Sequence, residues 1–371
     1  MPPSAFAYSS ASAATAPAFT AAAGAALAKA ASRIRMIAVT TPQNLRAELA
    51  RLESTWAVER GGNARFVYDA PRDYADLIDA LSRGAEALNG QGPLGAIYAA
   101  RARELVEEAR VCASAGTPLL WEAARRRYRR RDAFDARADE LAREWLAEAV
   151  DKSEYSCILS DDDRNPGSLV SAMRRAIGER RLPLRVLITS DLAPLAATGD
   201  GFIQVAAGRA VSPRDVERTV LHEIEGHAGP AAKAKALPLS IFAVGTAWGA
   251  DDQEGRALAL ERRNGFLDAG RRRELALRHV AARAVEERAD FPDVSRMLVD
   301  LGANIPAALR IAARVCRGGG LAREAVYLPA LLRVEAAIEA EPDIDHVLAS
   351  GRVAVPSASI LGAWAGIDAL D

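Results

Sequence analysis

Residues 212–230 read SPRDVERTVLHEIEGHAGP, and this stretch determines how the rest of the chain is interpreted. Its first residues have the features of a helix start. Ser212 can cap the helix, Pro213 suits the first helical position, and Asp215 completes a pair of the capping-box type. The pattern therefore predicts a helix that begins at Ser212 and continues through apolar positions into the segment HEIEGH.

That segment contains two of the four histidines of the chain, His222 and His227, and Glu223 directly follows the first. Neutral imidazoles are good ligands for Zn²⁺, and a glutamate beside a ligand can act as general base toward water that the metal activates. We therefore predict His222 and His227 as zinc ligands and Glu223 as the catalytic base. The alternative is that the histidines lie on the surface of an ordinary helix.

The spacing of the two histidines sets a geometric condition. On a regular α-helix, residues four apart share a face, whereas residues five apart point about 140° away from each other. His222 and His227 can converge on one ion only if the helix has a local π-type bulge or ends near Gly226. We expect one of these two irregularities.

A third ligand is expected from residues 251–257 (DDQEGRA), which open a second helix. A glutamate early in a helix, some tens of residues after a histidine pair, is typical of zinc peptidases, and Glu254 has this position. Three protein ligands leave a fourth position open, as catalytic zinc requires. The predicted cofactor is one Zn²⁺ per chain, although another divalent ion could use the same donors. We expect Gly255 to allow close packing near the metal.

Outside these motifs the sequence predicts an α+β fold that is predominantly helical, with a small sheet directly before the zinc helix. The sheet strands are predicted at 184–189 and 202–206, and another β-like segment at 64–68. The strand at 202–206 is predicted either as a core strand or as an edge that pairs with an extended substrate, and the two interpretations are compatible. The segment between these two strands is predicted as a loop, with Gly199 and Asp200 in the form TGDG. Apolar periodicity predicts helices at 44–56, 73–88, 94–115, 117–128, 132–151 and 169–180.

We divide the chain into a disordered Ala-rich leader over 1–35, with an alanine helix near its end, an N-terminal helical region over 36–155 and a zinc-binding catalytic region over 156–371. The last two can also form one compact unit over 36–371. The leader lacks a basic segment before an apolar core, so it is not predicted as a secretory signal.

Composition excludes several classes of protein. Lys+Arg total 48 and Asp+Glu total 49, so the charge balance does not indicate nucleic-acid binding. The arginine-rich run 125–131 is predicted as a solvated helix face. Three cysteines without a CxxC pair argue against a disulfide framework, and no apolar run is long enough for a membrane helix. We therefore predict a cytoplasmic protein without membrane or nucleic-acid partners.

The two motifs carry a family resemblance. HEIEGH followed by DDQEGRALALE resembles the HExxxH and QEGLA motifs of the tyrosine carboxypeptidase family, many bacterial members of which are known as QEGLA-motif or flavohemoglobin-expression-modulating proteins. The segments 64–68, 92–105, 203–212 and 314–328 also resemble the family. The likeness covers the chain from about Phe66 to Ser350.

This resemblance implies a metallopeptidase with a zincin-like core, the same three metal ligands and the same base. It also makes Arg314 and Arg317 candidates for binding a substrate carboxylate, and Tyr327 a candidate catalytic residue that donates to the oxyanion. The implied activity is a carboxypeptidase that releases a C-terminal residue, with tyrosine as the candidate, from a peptide or protein.

The chain departs from the family pattern at several positions. The family's HEIGTH is HEIEGH here and is followed by AGP, Arg256 replaces the apolar residue of QEGLA, and Arg323-Glu324 replaces a Lys-Asp pair. These changes leave the ligands in place but put tyrosine preference in doubt. Two alternatives stay open: a zinc endopeptidase or amidase that processes a small peptide, and a zinc-binding regulatory protein without catalysis.

Overall fold

The computed structural model describes residues 16–129, 132–149, 157–190, 192, 194–320 and 323–366. The protein is a mostly helical α+β structure, as predicted. Its N-terminal half consists of helices α1 Ala18–Arg33, α2 Met36–Thr40, α3 Leu45–Glu59, α4 Ala75–Leu88, α5 Gly92–Ser114, α6 Leu120–Tyr128, α7 Ala133–Ala147 and α8 Leu169–Glu179. After the strands come α9 Pro213–Leu221, a π-helix His222–Ala228, α10 Gly229–Ala236, α11 Ile241–Val244, α12 Gly249–Arg263, α13 Ala269–Glu286, α14 Phe291–Asp300, α15 Ile305–Val315, α16 Tyr327–Ala340, α17 Ile344–Leu348 and α18 Val355–Leu361.

The small sheet lies directly before α9. Strand β2 Arg185–Thr189 runs parallel to β4 Phe202–Ala206, and β3 Ala196–Gly199 runs antiparallel to it, in the order β2-β4-β3. Strand β4 is therefore the central strand, which confirms the core-strand interpretation. The expected edge is wrong, because both sides of β4 are already paired. Much of the predicted TGDG loop is strand β3, since only Asp200 and Gly201 form the turn. Separately, β1 Ile158–Leu159 pairs with β5 Ala210–Val211.

The segment predicted as a strand at 64–68 is extended but is not part of a sheet. The side chain of Asn44 holds it instead. The amide nitrogen of Asn44 donates to the carbonyl of Arg65 at 2.8 Å, and its amide oxygen accepts from the Val67 N–H at 2.9 Å. The Gln43 N–H also donates to the Val67 carbonyl at 2.8 Å. The segment therefore has the expected extended conformation, but these bonds satisfy its backbone without a partner strand.

The leader is only partly described, since residues 1–15 lie outside the described ranges. From Ala18 the chain forms helix α1, which agrees with the alanine helix expected there but not with disorder as far as residue 35. Leu27 and Ala30 are buried. The rings of Phe19 and Tyr98, the latter from α5, pack edge to face with their centroids 6.0 Å apart. Burial of these apolar side chains favours an ordered helix over a free chain.

The prediction that residues 125–131 form a solvated helix face is wrong for Arg127. Residues 130 and 131 of this run lie outside the described ranges. Its side chain is 2% exposed and lies 3.1 Å from Glu104, 3.2 Å from Glu108 and 3.1 Å from Asp251. Helix α6 therefore contributes a buried cation to the start of α12. The prediction failed because composition cannot show that an arginine has buried carboxylate partners.

Helix α12 lies in the interior, between α16 and the π-helix. A Cβ placed on Gly255 would overlap the backbone carbonyl group of Ala330 in α16, and one on Gly226 of the π-helix would come within 2.7 Å of the Ala257 Cβ. Both glycines therefore permit helices to approach closely around α12.

In the described residues we find no helix that is both long and apolar enough to cross a membrane.

Replacing Gly255 by alanine should destabilise the protein by about 1–3 kcal/mol, because the new methyl group meets backbone that cannot rotate away. Urea unfolding monitored by circular dichroism measures this change. The matched control is Gly84→Ala in α4, where no atom lies within 4 Å of the added Cβ. The control should gain about 0.5–1 kcal/mol. Equal effects of the two substitutions would contradict close packing at Gly255.

Candidate metal centre

The start of α9 has the predicted capping box. The Ser212 hydroxyl accepts from the Asp215 N–H at 3.1 Å, and the Asp215 carboxylate accepts from the Ser212 N–H at 3.1 Å. Helix α9 continues without a break into the π-helix His222–Ala228. The expected π-type irregularity is therefore confirmed, with the histidines at its first and sixth positions.

The π-helix brings the two histidines together. Their ring centroids lie 5.0 Å apart. His222 Nε2 is 3.5 Å from one Glu254 carboxylate oxygen, and His227 Nε2 is 3.7 Å from the same oxygen. One ligand atom from each of the three residues lies within 4.8 Å of the others.

This donor set fits a divalent metal of the zinc type. Two imidazole nitrogens and one carboxylate oxygen converge from two helices, which is the ligand composition of many catalytic zinc sites. Burial adds to the fit, because Glu254 is largely removed from water. The structure thus places the three predicted ligands together, and the identity of the ion stays a prediction.

A carboxylate that the sequence analysis did not identify orients His222. Glu261 is fully buried on α12, and its Oε1 lies 2.8 Å from His222 Nδ1, so that Nε2 faces Glu254. Arg271 holds Glu261 in turn, with Nε 2.9 Å from the carboxylate. Glu261 is seven residues after Glu254 and so lies on the same helical face, a spacing that could have predicted it.

The metal-free site has an excess of negative charge near His222. Burial alone would lower the pKa of His222, but hydrogen bonds to Glu254 and Glu261 and the charges of nearby glutamates raise it to about 10. Burial likewise opposes ionisation of Glu254, yet the positive charges of His227 and Arg323 hold the pKa of Glu254 well below its usual value. The carboxylates around His222 therefore favour positive charge on its ring, and the cations near Glu254 favour its ionised form.

Arg323 is a second residue whose role the sequence did not reveal. Its Nη1 lies 3.1 Å from Glu254 Oε1, while its Nε is 3.4 Å from Asp251. One oxygen of Glu254 thus faces Arg323 and the other faces the histidines. The resemblance had already matched Arg323 to a basic position of the family, which was a usable signal.

Glu223, the predicted base, is buried in the π-helix with one hydrogen-bond donor. The hydroxyl of Thr198 on strand β3 donates to Glu223 Oε2 at 2.7 Å. This contact fixes the carboxylate between the edge of the sheet and the histidine pair. Thr198 was missed because the TGDG segment was interpreted as a loop.

The three residues implied by the resemblance occupy different environments. Arg314 is engaged, since its Nε donates to Glu324 at 2.7 Å and Arg278 pairs with the same carboxylate. Tyr327 begins α16, and the guanidinium carbon of Arg278 lies 4.5 Å from the centroid of the Tyr327 ring. Burial together with the charge of Glu254 raises the pKa of Tyr327.

Arg317 lies in a 3₁₀ turn, Arg317–Gly319, and is only half-buried. No carboxylate of the described residues forms an ion pair with its guanidinium. Burial and the positive charge of Arg314 lower the pKa of Arg317. An arginine with uncompensated charge is well suited to bind an anion.

Comparison with known proteins agrees with the resemblance. The family model described as microtubule-associated tyrosine carboxypeptidase matches residues 62–369, so the chain belongs to this family, and the family indicates a carboxypeptidase. None of the curated proteins matches the chain.

Replacing Glu261 by glutamine should lower the pKa of His222 in the metal-free protein, because a charged acceptor is lost. The folded-state pKa of about 10 exceeds the unfolded value. Protonation of His222 therefore stabilises the fold fully below about pH 6.5, and this contribution is lost as the pH rises through the folded pKa. NMR titration of the imidazole in the presence of chelator measures the shift.

The control for this titration is Glu217→Gln, an exposed glutamate on α9. It should leave the pKa of His222 unchanged. A His222 pKa that is the same in Glu261→Gln and in the wild type would show that Glu261 does not control the protonation of this histidine.

Proposed function

We propose that this member of the carboxypeptidase family is zinc-dependent, with the ion held by His222, His227 and Glu254. The observation that carries the proposal is the convergence of one ligand atom from each residue within 4.8 Å. A purely structural zinc site would have four protein ligands, whereas three leave a position for substrate or water.

Zinc bound there would supply Lewis acidity toward water and the scissile carbonyl. The protein supplies the proton transfers. Glu223 accepts a proton from the attacking water and passes it to the leaving amine. The Thr198 hydroxyl, at 2.7 Å, holds the Glu223 carboxylate in one orientation for both transfers. Glu261 keeps the Nε2 atom of His222 directed toward the metal position.

We propose a zincin-like core around this centre. Strand β3 is an edge of the three-stranded sheet, runs antiparallel to its neighbour and contacts Glu223 through Thr198. An extended peptide can add to such an edge through main-chain hydrogen bonds. In this arrangement β3, and not β4, would pair with the substrate.

The proposed substrate is a peptide or protein with a free C-terminus. Arg317 would bind the terminal carboxylate, since its guanidinium has no carboxylate partner among the residues that the structure describes. Arg314 has a supporting role, because Glu324 already engages it. Tyr327 would donate its hydroxyl to the developing oxyanion, and its proximity to the charge of Glu254 supports this placement. Tyrosine as the released residue rests on the family description alone.

Two other functions use the same residues. An endopeptidase or amidase would need the same metal and base but not a free carboxylate on the substrate. A regulatory zinc protein would need neither Glu223 nor an open ligand position. Arg317 is half-buried and forms no ion pair with a carboxylate of the described residues, which favours the carboxypeptidase over the first alternative. Glu223 with its positioned carboxylate favours an enzyme over the second.

The Glu223→Gln variant should keep its zinc and lose activity by about 10²–10⁴-fold, because the ligands remain while the base is lost. His222→Ala and Glu254→Ala should lose both zinc and activity. Elemental analysis of the purified proteins and cleavage of a peptide library with free C-termini measure the two properties. A wild-type protein that stays metal-free with added zinc would overturn the proposal.

The Arg317→Gln variant should raise KM about 10–100-fold for peptides with a free C-terminus, since a hydrogen bond to a charged group contributes about 1.5–3 kcal/mol. The matched control is Arg310→Gln, an exposed arginine on α15. Wild-type enzyme should not cleave the same peptides when they are amidated. Equal cleavage of free and amidated peptides would instead support the endopeptidase.

A further inference from the structure

Among the residues that the structure describes, no backbone N–H donates to the carbonyl of Glu225, which lies in the middle of the π-helix. In an α-helix it would accept from the N–H of residue 229, but the Gly229 N–H donates to Ile224 in the π register. In a π-helix it would accept from residue 230. That residue is Pro230, which has no N–H.

A side chain from another helix satisfies this carbonyl. Arg256 of α12 is buried, and its Nη1 donates to the Glu225 carbonyl at 3.1 Å. A buried carbonyl without a donor would cost about 1–3 kcal/mol, so this bond matters for the local structure. Glu225 lies between His222 and His227 in the chain, so this bond holds the segment that joins the two histidines.

Arg256 is itself held in place from the opposite side. Its Nε donates to Asp345 of α17 at 2.7 Å, and Arg263 binds the second oxygen of the same carboxylate at 3.0 Å. The guanidinium is therefore clamped between Asp345 and the π-helix. Loss of Arg256 would leave the Asp345 carboxylate with one arginine, Arg263. It would leave the backbone carbonyl of Glu225 without this donor.

We propose that Arg256 is a positioning residue, which replaces the backbone N–H absent from Pro230 and so maintains the π register that places His222 and His227 on one ion. Two departures from the family pattern, the proline after HEIEGH and the arginine within QEGRA, thereby compensate each other. The consequence for metal binding rests on the proposed function, whereas the consequence for the π-helix does not.

The test is a double-mutant cycle of Arg256→Leu and Pro230→Ala on the full chain. The first readout is amide hydrogen exchange of residues 222–229 in metal-free protein. Arg256→Leu should accelerate exchange about 10–100-fold, since a bond to a charged donor is lost. Pro230→Ala alone should change little, because Arg256 still occupies the carbonyl. The double variant should return to within about threefold of wild type, because the alanine introduced in place of the proline supplies the π-register donor.

Zinc affinity, measured by competition with a chromophoric chelator, should follow the same order among the four proteins. The Co²⁺ absorption spectrum should change in Arg256→Leu and return toward that of the wild type in the double variant. Arg263→Leu, which removes the other arginine on Asp345 without touching the π-helix, is the control and should match wild type in exchange and affinity.

Rescue by Pro230→Ala distinguishes positioning from a general structural role, which the new N–H could not repair. A double variant that exchanges as fast as Arg256→Leu would overturn the inference. If Arg256→Leu does not fold, a folded double variant supports the inference and an unfolded one overturns it. If wild type binds no zinc, the proposed function fails, and hydrogen exchange still decides the role of Arg256.

Discussion

The structure depends on how helix α12 neutralises its buried negative charge. Four of its carboxylates are removed from water, and each is paired with an arginine from a different part of the chain. The pairs are Asp251 with Arg127 of α6, Asp252 with Arg333 of α16, Glu254 with Arg323 before α16, and Glu261 with Arg271 of α13. Removing one partner of such a buried pair typically costs about 3–5 kcal/mol. The pairs therefore fix the position and rotation of α12 against its neighbours.

The geometry of the candidate metal centre follows from this constraint. Glu254 and Glu261 lie two turns apart on one face of α12, so that one reaches the metal position and the other holds His222. The π-helix rests on the same helix, where Gly226 permits contact with Ala257. A ligand helix that could rotate would move both carboxylates at once. The arginine pairs prevent this, which keeps the donors preorganised for a cation.

The charges around the centre divide into two groups. Carboxylates face the histidines, whereas Arg323 approaches Glu254 from the other side. Arg314 is engaged with Glu324. Arg317 differs in having no carboxylate partner among the described residues, and this asymmetry is what a substrate carboxylate would complement.

Local features could be predicted from the sequence. The spacing of residues along the chain predicts the helix periodicity, the Ser212 cap, strands β2 and β4 and the need for a π-type irregularity. These properties depend on residues close together in the chain. Only tertiary structure shows that β3 is an edge strand and that Thr198 meets Glu223. It also decided that Arg127 is buried against Asp251, 124 residues away. Apolar patterns and caps encode which face of an element is buried, but not which distant charge will meet it. An ion pair between remote helices exists only once their packing has placed both groups, so the full site became visible only in the folded chain.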